Sequence, residues 1–281
     1  MDAPLSRSVL QIQAAIVALA PAAMLAAFLY HPYITRLTND SAVAAALTAD
    51  TARWGLSHLA VVVASGLMVL AFLAIRSHLR TAGEQTWSIR ALPFVVIGST
   101  LFVFLPAMEI ATLAAAEAGA DVPTVLAELN PWFFPVLLAG ALTFELGVLG
   151  FAVGIVRGGV LSPRSARLVG AALVVMATAR FVPLGAALLV GGAAGVIALW
   201  PLSYNMWRSA TTGPDAGPPP VRPRREGSIT SDVAAGQTEV SAVRTSDEPA
   251  GRTVADELGP HRPLPHPGPA QGDRSRSRLD T

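Results

Sequence analysis

The chain has 281 residues, of which 52% are hydrophobic and only 14% charged, with a formal net charge of +1 and a mean hydropathy of +0.51. Soluble domains carry roughly 25% charged residues, so lipid is the expected solvent for most of this sequence. The near-zero charge offers no field to recruit nucleic acid, and the absence of cysteine excludes disulfides, thiolate metal sites and cysteine nucleophiles.

Residues 9–30 form the first predicted span. The run is longer than the roughly 7–15 residues of a signal-peptide apolar region, and apolar sequence continues past the alanine-rich stretch Ala18–Ala23. A retained span is therefore expected. Further spans follow at 54–75, at 91–116 with a break at Pro106, and at 132–156. The apolar stretch 165–207 exceeds the ~20 residues of one span. Pro183 and Gly185 divide it into spans at 165–182 and 184–207. The predicted fold class is all-α: a transmembrane bundle of about six helices over residues 1–208.

Every basic side chain other than histidine is arginine, and the arginines alternate. Arg7 precedes the first span. Arg76, Arg80 and Arg90 lie between the second and third, Arg157, Arg164 and Arg167 between the fourth and fifth, and Arg208 follows the sixth. The intervening loops hold fewer, which predicts cytoplasmic N- and C-termini and an even number of spans. Trp54, Trp87, Trp132 and Trp207, with Tyr30, Tyr33 and Tyr204, fall near predicted span ends, as interfacial aromatics do. In the outer loops, Asn39-Asp40-Ser41 is expected to cap a short surface helix over 42–49. A second is expected over 124–129, ended by Asn130-Pro131.

Residues 209–281 are rich in Pro, Gly, Ser and charged side chains and lack apolar periodicity. Such a segment buries too little surface to offset its ordering entropy, so a disordered cytoplasmic tail is predicted. It is a solvated tether or a surface that recruits partners.

Small residues repeat at four-residue spacing in two places: Gly150, Gly154 and Gly158, and Ala187, Gly191 and Gly195. That pattern lets helix backbones approach closely, within the chain or in a homo-oligomer.

The ionisable residues inside the spans are His58, Glu109, Glu145 and Arg180. A charge at the bilayer centre costs at least ~2.5–3.5 kcal/mol, so such side chains face protein or water. The predicted topology places all four in the outer half of the membrane, with His31 at the outer end of the first span. Three readings follow. The first is an outward-facing pocket of His58, Glu109, Glu145 and Arg180 that binds or transports a small polar ligand or ion, with Arg180 as counter-ion to a carboxylate. Its bland counterpart is a buried Glu–Arg pair beside snorkelling side chains. The second reading is an accessory or regulatory protein whose tail recruits a partner. The third is a membrane enzyme in which His31 and His58 ligate a haem, or His58, Glu109 and Glu145 a metal ion. No motif calls for a cofactor: HExxH and GxSxG are both absent. The first reading, non-enzymatic, is preferred. In layout alone, residues 1–208 resemble small multi-span proteins of bacterial inner membranes; no residue string carries a family's function over.

Overall fold

The computed structural model describes residues 6–211, and the predicted tail from residue 212 onward lies outside them. The described residues form seven α-helices and no strand: α1 (Arg7–Tyr30), α2 (Asp40–Ala49), α3 (Thr51–Thr81), α4 (Thr86–Glu117), α5 (Val122–Gly158), α6 (Pro163–Thr178) and α7 (Gly185–Thr211). A single 3-10 turn, Ala179–Phe181, prolongs α6. Ser209–Thr211, assigned to the tail from sequence, belong to α7.

Local chemistry sets most helix starts. The side chains of Asn39, Asp50, Asp121 and Ser162 accept hydrogen bonds from the backbone N–H of Ala42, Arg53, Thr124 and Ser165, so each satisfies a donor the first turn leaves open. At α4 the cap is Glu84, whose carboxylate accepts from the N–H of Trp87 (2.6 Å) and of Ser88 (3.2 Å). Burial works to raise the pKa of Glu84. The backbone donors of Trp87, Ser88 and Thr86 outweigh it and hold the carboxyl below its ordinary 4.5. Gly159, in the left-handed region at φ 64°, ends α5.

Five helices, α1, α3, α4, α5 and α7, are long and apolar enough to cross a membrane. The predicted fifth span corresponds to α6, whose 16 residues reach about 24 Å, short of a ~30 Å hydrocarbon core without the following 3-10 turn. Two expected breaks are not made. α4 runs unbroken through Pro93 and Pro106, and α5 through Pro131 and Pro135, absorbing the helix predicted at 124–129. A proline costs one helical hydrogen bond, which membrane helices tolerate because neighbouring helices and side chains shield the freed carbonyl. The surface helix predicted at 42–49 is present as α2.

Each of the six longer helices packs on the next in the order α1, α3, α4, α5, α6, α7, and α7 closes the ring on α1. Lipid supplies no hydrophobic drive between helices, so close packing must. The glycines provide it within this chain. A Cβ on Gly98 of α4 would lie 2.5 Å from the backbone nitrogen of Phe144 on α5, and one on Gly147 of α5 2.6 Å from that of Val95. Gly150 meets Ala91, while Gly154 and Gly158 leave the space that Glu84 occupies. On α7, Gly191 and Gly195 abut Ala179 and Met176, and Gly192 abuts Leu25 of α1. Two hydrogen bonds tie α7 to α1, from Ser203 Oγ to the Ala14 carbonyl (2.7 Å) and from Trp200 Nε1 to that of Ala18 (3.1 Å).

Gly98 and Gly66 make a direct test. A methyl group at Gly66 meets nothing within 4 Å, whereas at Gly98 it strikes backbone. Gly98→Ala should lower stability by about 1–3 kcal/mol, the usual range for overpacking, and Gly66→Ala should leave it unchanged or raised. Thermal unfolding of the two variants in mild detergent measures both. Equal midpoints would contradict the α4–α5 packing described.

Candidate functional site

One end of the bundle carries a cap. After α1 the chain runs through residues 31–39 and makes a short antiparallel seam with the segment between the 3-10 turn and α7. Arg36 bridges Leu184, flanked by hydrogen bonds from Leu37 N–H to the Pro183 carbonyl (3.0 Å) and from Gly185 N–H to the Thr35 carbonyl (3.4 Å). A Cβ at position 185 would collide with the carbonyl oxygen of Ile34, so only glycine fits there. α2 lies over the ends of α3 and α5, and Val43, Ala44 and Leu47 share an apolar cluster with Trp54, Val122 and Leu126. Asn130 Nδ2 donates to Asp40 (3.2 Å), which ties α2 to α5, and Arg53 Nε donates to the carbonyl of Tyr30 (2.7 Å) at the end of α1.

Beneath the cap is a chamber of about 140 Å³. Its walls are mostly apolar: Phe28 and Ile34 on one side, Val61, Phe102 and Leu105 on another, Phe133, Phe134 and Leu137 on a third. Three of the four sequence-predicted site residues, His58, Glu109 and Arg180, line it, as do His31 and Trp54. Glu145 does not. It points away from the glycine face of α5, as its position on the helix required, but toward α6. There one carboxylate oxygen accepts from the Thr178 hydroxyl (3.4 Å) and Oε2 is buried without a partner.

Trp54, His31 and His58 form a ring cluster. Ring centroids lie 4.6 Å apart for Trp54–His58, 5.0 Å for His31–His58 and 5.3 Å for His31–Trp54. Nδ1 of His58 is 2.7 Å from the Trp54 carbonyl and Nδ1 of His31 is 2.7 Å from that of Pro32. A carbonyl only accepts, so each Nδ1 carries the proton and each neutral ring presents Nε2 as an acceptor. Burial, against the Pro32 hydrogen bond and with Arg53 nearby, lowers the pKa of His31 from 6.5, which keeps it neutral at neutral pH. Trp54, near the start of α3, is 1% exposed and packs with the apolar side chains of α2.

Three chamber-lining residues carry unpartnered polar atoms. Trp54 Nε1, Glu109 Oε2 and Arg180 Nη1 are buried and make no hydrogen bond. Native proteins satisfy nearly all such groups, and all three here belong to residues that line this one chamber. Pro106, also on the wall, lacks the N–H that would bond the Phe102 carbonyl. The Arg180–carboxylate pair expected from sequence is not made. The guanidinium carbon lies 3.6 Å from the ring centroid of Phe144 and 4.4 Å from that of Phe102, cation over π-face. Arg180 and Glu109 mark opposite poles. Arg180 also borders a small void of about 30 Å³ against the glycines of α7, and Glu109 borders another of about 30 Å³ beside Asp40, with no wall residue in common.

The haem and metal arrangements weighed from sequence are not assembled. The imidazoles of His31 and His58 meet edge to face at 5.0 Å, which leaves no room for a porphyrin between them. His58 and Glu109 share the chamber without Glu145, and among the described residues no group of three His, Asp or Glu side chains is placed to hold a metal ion. The part of Trp54 was missed from sequence, although its spacing of four from His58 puts both on one helix face. No family model, curated protein or solved structure matches this chain.

The seam offers a test. Arg36 and Leu184 face each other between the two flanking hydrogen bonds, the closely spaced kind of antiparallel pair that suits a disulfide. The natural chain has no cysteine to interfere. Arg36→Cys with Leu184→Cys should cross-link nearly completely under mild oxidation, read as a mobility change on non-reducing gels. Failure to cross-link would mean the two loops do not pair.

Proposed function

We propose that this protein is a six-span membrane protein with both termini in the cytoplasm, which binds or carries a small polar ligand or ion in the outward-facing chamber under its cap. The observation that carries the reading is one mostly apolar chamber, large enough for a guest, whose lining residues include Trp54, Glu109 and Arg180, each with a side-chain polar atom that makes no hydrogen bond. An engineered apolar cavity of about 150 Å³ holds a benzene molecule, so about 140 Å³ admits one small organic molecule or a few waters. Apolar walls with a few convergent polar groups are the usual make-up of small-molecule sites.

The topology rests on two supports. α6 packs between α5 and α7 as each other long helix packs between two neighbours, which favours its crossing the membrane with the help of the 3-10 turn. Arg76, Arg80, Arg90, Arg157, Arg164 and Arg167 lie at the helix ends away from the cap, the arginine-rich side that stays cytoplasmic. The chamber then opens toward the outside. Single cysteines decide this. Ala120→Cys, in the exposed α4–α5 connection, should react with a membrane-impermeant maleimide on intact cells, and Arg7→Cys and Thr211→Cys only after permeabilisation. Labelling of Arg7 and Thr211 from opposite faces would leave α6 outside the membrane and end the six-span reading.

For the binding role, the full chain in mild detergent should show a saturable rise in unfolding temperature with at least one class of small polar solute. Val61→Phe, which adds bulk to the chamber wall, should abolish the rise while leaving the unliganded midpoint within a few degrees. No response across neutral, anionic and cationic solutes and simple ions would overturn the reading.

A further inference from the structure

The chamber's own chemistry narrows the guest. Arg180 is charged at any physiological pH, and its Nη1 is sealed from solvent although the residue as a whole is partly exposed. The rings of Phe102 and Phe144 attract the cation but supply no acceptor for its N–H groups. A buried guanidinium with neither carboxylate nor carbonyl on Nη1 lacks a counter-charge. Glu109 Oε2 and the Nε2 atoms of the two histidines, by contrast, ask for a donor.

We propose that the chamber binds a single-ring organic monocarboxylate, with its carboxylate on Arg180, its ring among the Phe and Trp side chains, and a hydroxyl reaching the Glu109–histidine side. This deepens the binding role proposed above and rests on it. A carboxylate brings one negative charge, which matches the one guanidinium on the chamber lining. Phosphate or sulfate brings more oxygens and a second charge than one guanidinium satisfies. The chamber volume holds one aromatic ring, and Phe28, Phe133 and Phe134 are among the apolar residues that line it. Arg180 sits where the wall gives onto the small void beside α7, so the guest's charged end lies at the deep pole and its hydroxyl at the pole near Asp40.

The experiment is isothermal titration of the full chain in mild detergent with benzoate, 4-hydroxybenzoate, benzyl alcohol, benzylamine, laurate and inorganic phosphate. Benzoate and 4-hydroxybenzoate should bind in saturable fashion, the hydroxylated acid more tightly, and benzyl alcohol, benzylamine and phosphate should not. Arg180→Met should weaken the two ring acids roughly tenfold or more, the loss of one charge-assisted hydrogen bond. Arg180→Lys, which keeps the charge and guards against a misfolded methionine variant, should retain part of the affinity. Glu109→Gln should remove the advantage of 4-hydroxybenzoate over benzoate. Equal affinity in Arg180→Met, laurate or phosphate binding in place of the ring acids, or benzylamine binding alone would overturn this assignment while leaving the chamber a binding site. If none of these probes binds but another solute stabilises the protein and Val61→Phe blocks it, this inference falls alone. Silence from every solute brings both down.

Discussion

Helices in lipid gain nothing by hiding apolar surface from one another, so this bundle depends on how closely their backbones can approach. The α4–α5 contact is the tightest instance. Gly98 and Gly147 let the two helices come within the distance at which a single added methyl group would strike backbone. The same contact positions the site. Phe144, held against Gly98, is the ring on which the Arg180 guanidinium lies. Gly191 and Gly195 of α7 then bring α6 and its 3-10 turn inward, so that Arg180 reaches that ring. Packing by small residues and the seating of a buried cation are one arrangement.

The cap covers one end of the bundle, and the chamber lies beneath it. The parts of the cap are far apart in sequence: the loop after α1, the helix α2, and the turn before α7, joined by a two-bond seam at Arg36 and Leu184. Trp54 packs with the apolar side chains of α2 and is among the residues lining the chamber, with its N–H unpartnered. The two histidines are fixed by backbone carbonyls, which sets their tautomers and turns an acceptor nitrogen outward on each. The chamber lining therefore brings together one guanidinium, Arg180, one carboxyl, Glu109, and two imidazoles.

Much of the architecture was legible because bilayer physics is one-dimensional along the chain. Hydropathy over ~20-residue windows locates apolar helices, and Asn39, Asp121 and Ser162 announce helix starts through their own side chains. The prolines misled for a physical reason. Pro106 and Pro131 break helices in water, where the freed carbonyl is readily solvated, but not inside a packed membrane helix. Glu84 was invisible as a cap because only the missing side chains of Gly154 and Gly158, some 70 residues on, make room for it. Among the ionisable residues, His58, Glu109 and Arg180 were singled out by the cost of placing charge in lipid, and the structure places all three on the lining of one chamber. Glu145 shares the depth but not the direction: a rotation of a few residues around α5 sends it to Thr178.

The sequence by itself determined the class of protein, the positions of its long helices and the short list of polar groups that lipid will not tolerate alone. Each of these depends on local composition and spacing. Only the tertiary structure decided which of those groups share a chamber, that Arg180 meets aromatic faces rather than a carboxylate, and that Trp54 is a buried donor beside two histidines. Those outcomes depend on helix rotation and on contacts between segments up to 150 residues apart, such as the loop after α1 with the turn before α7. Neighbouring residues along a chain do not encode such contacts, whereas close-packed neighbours in space do.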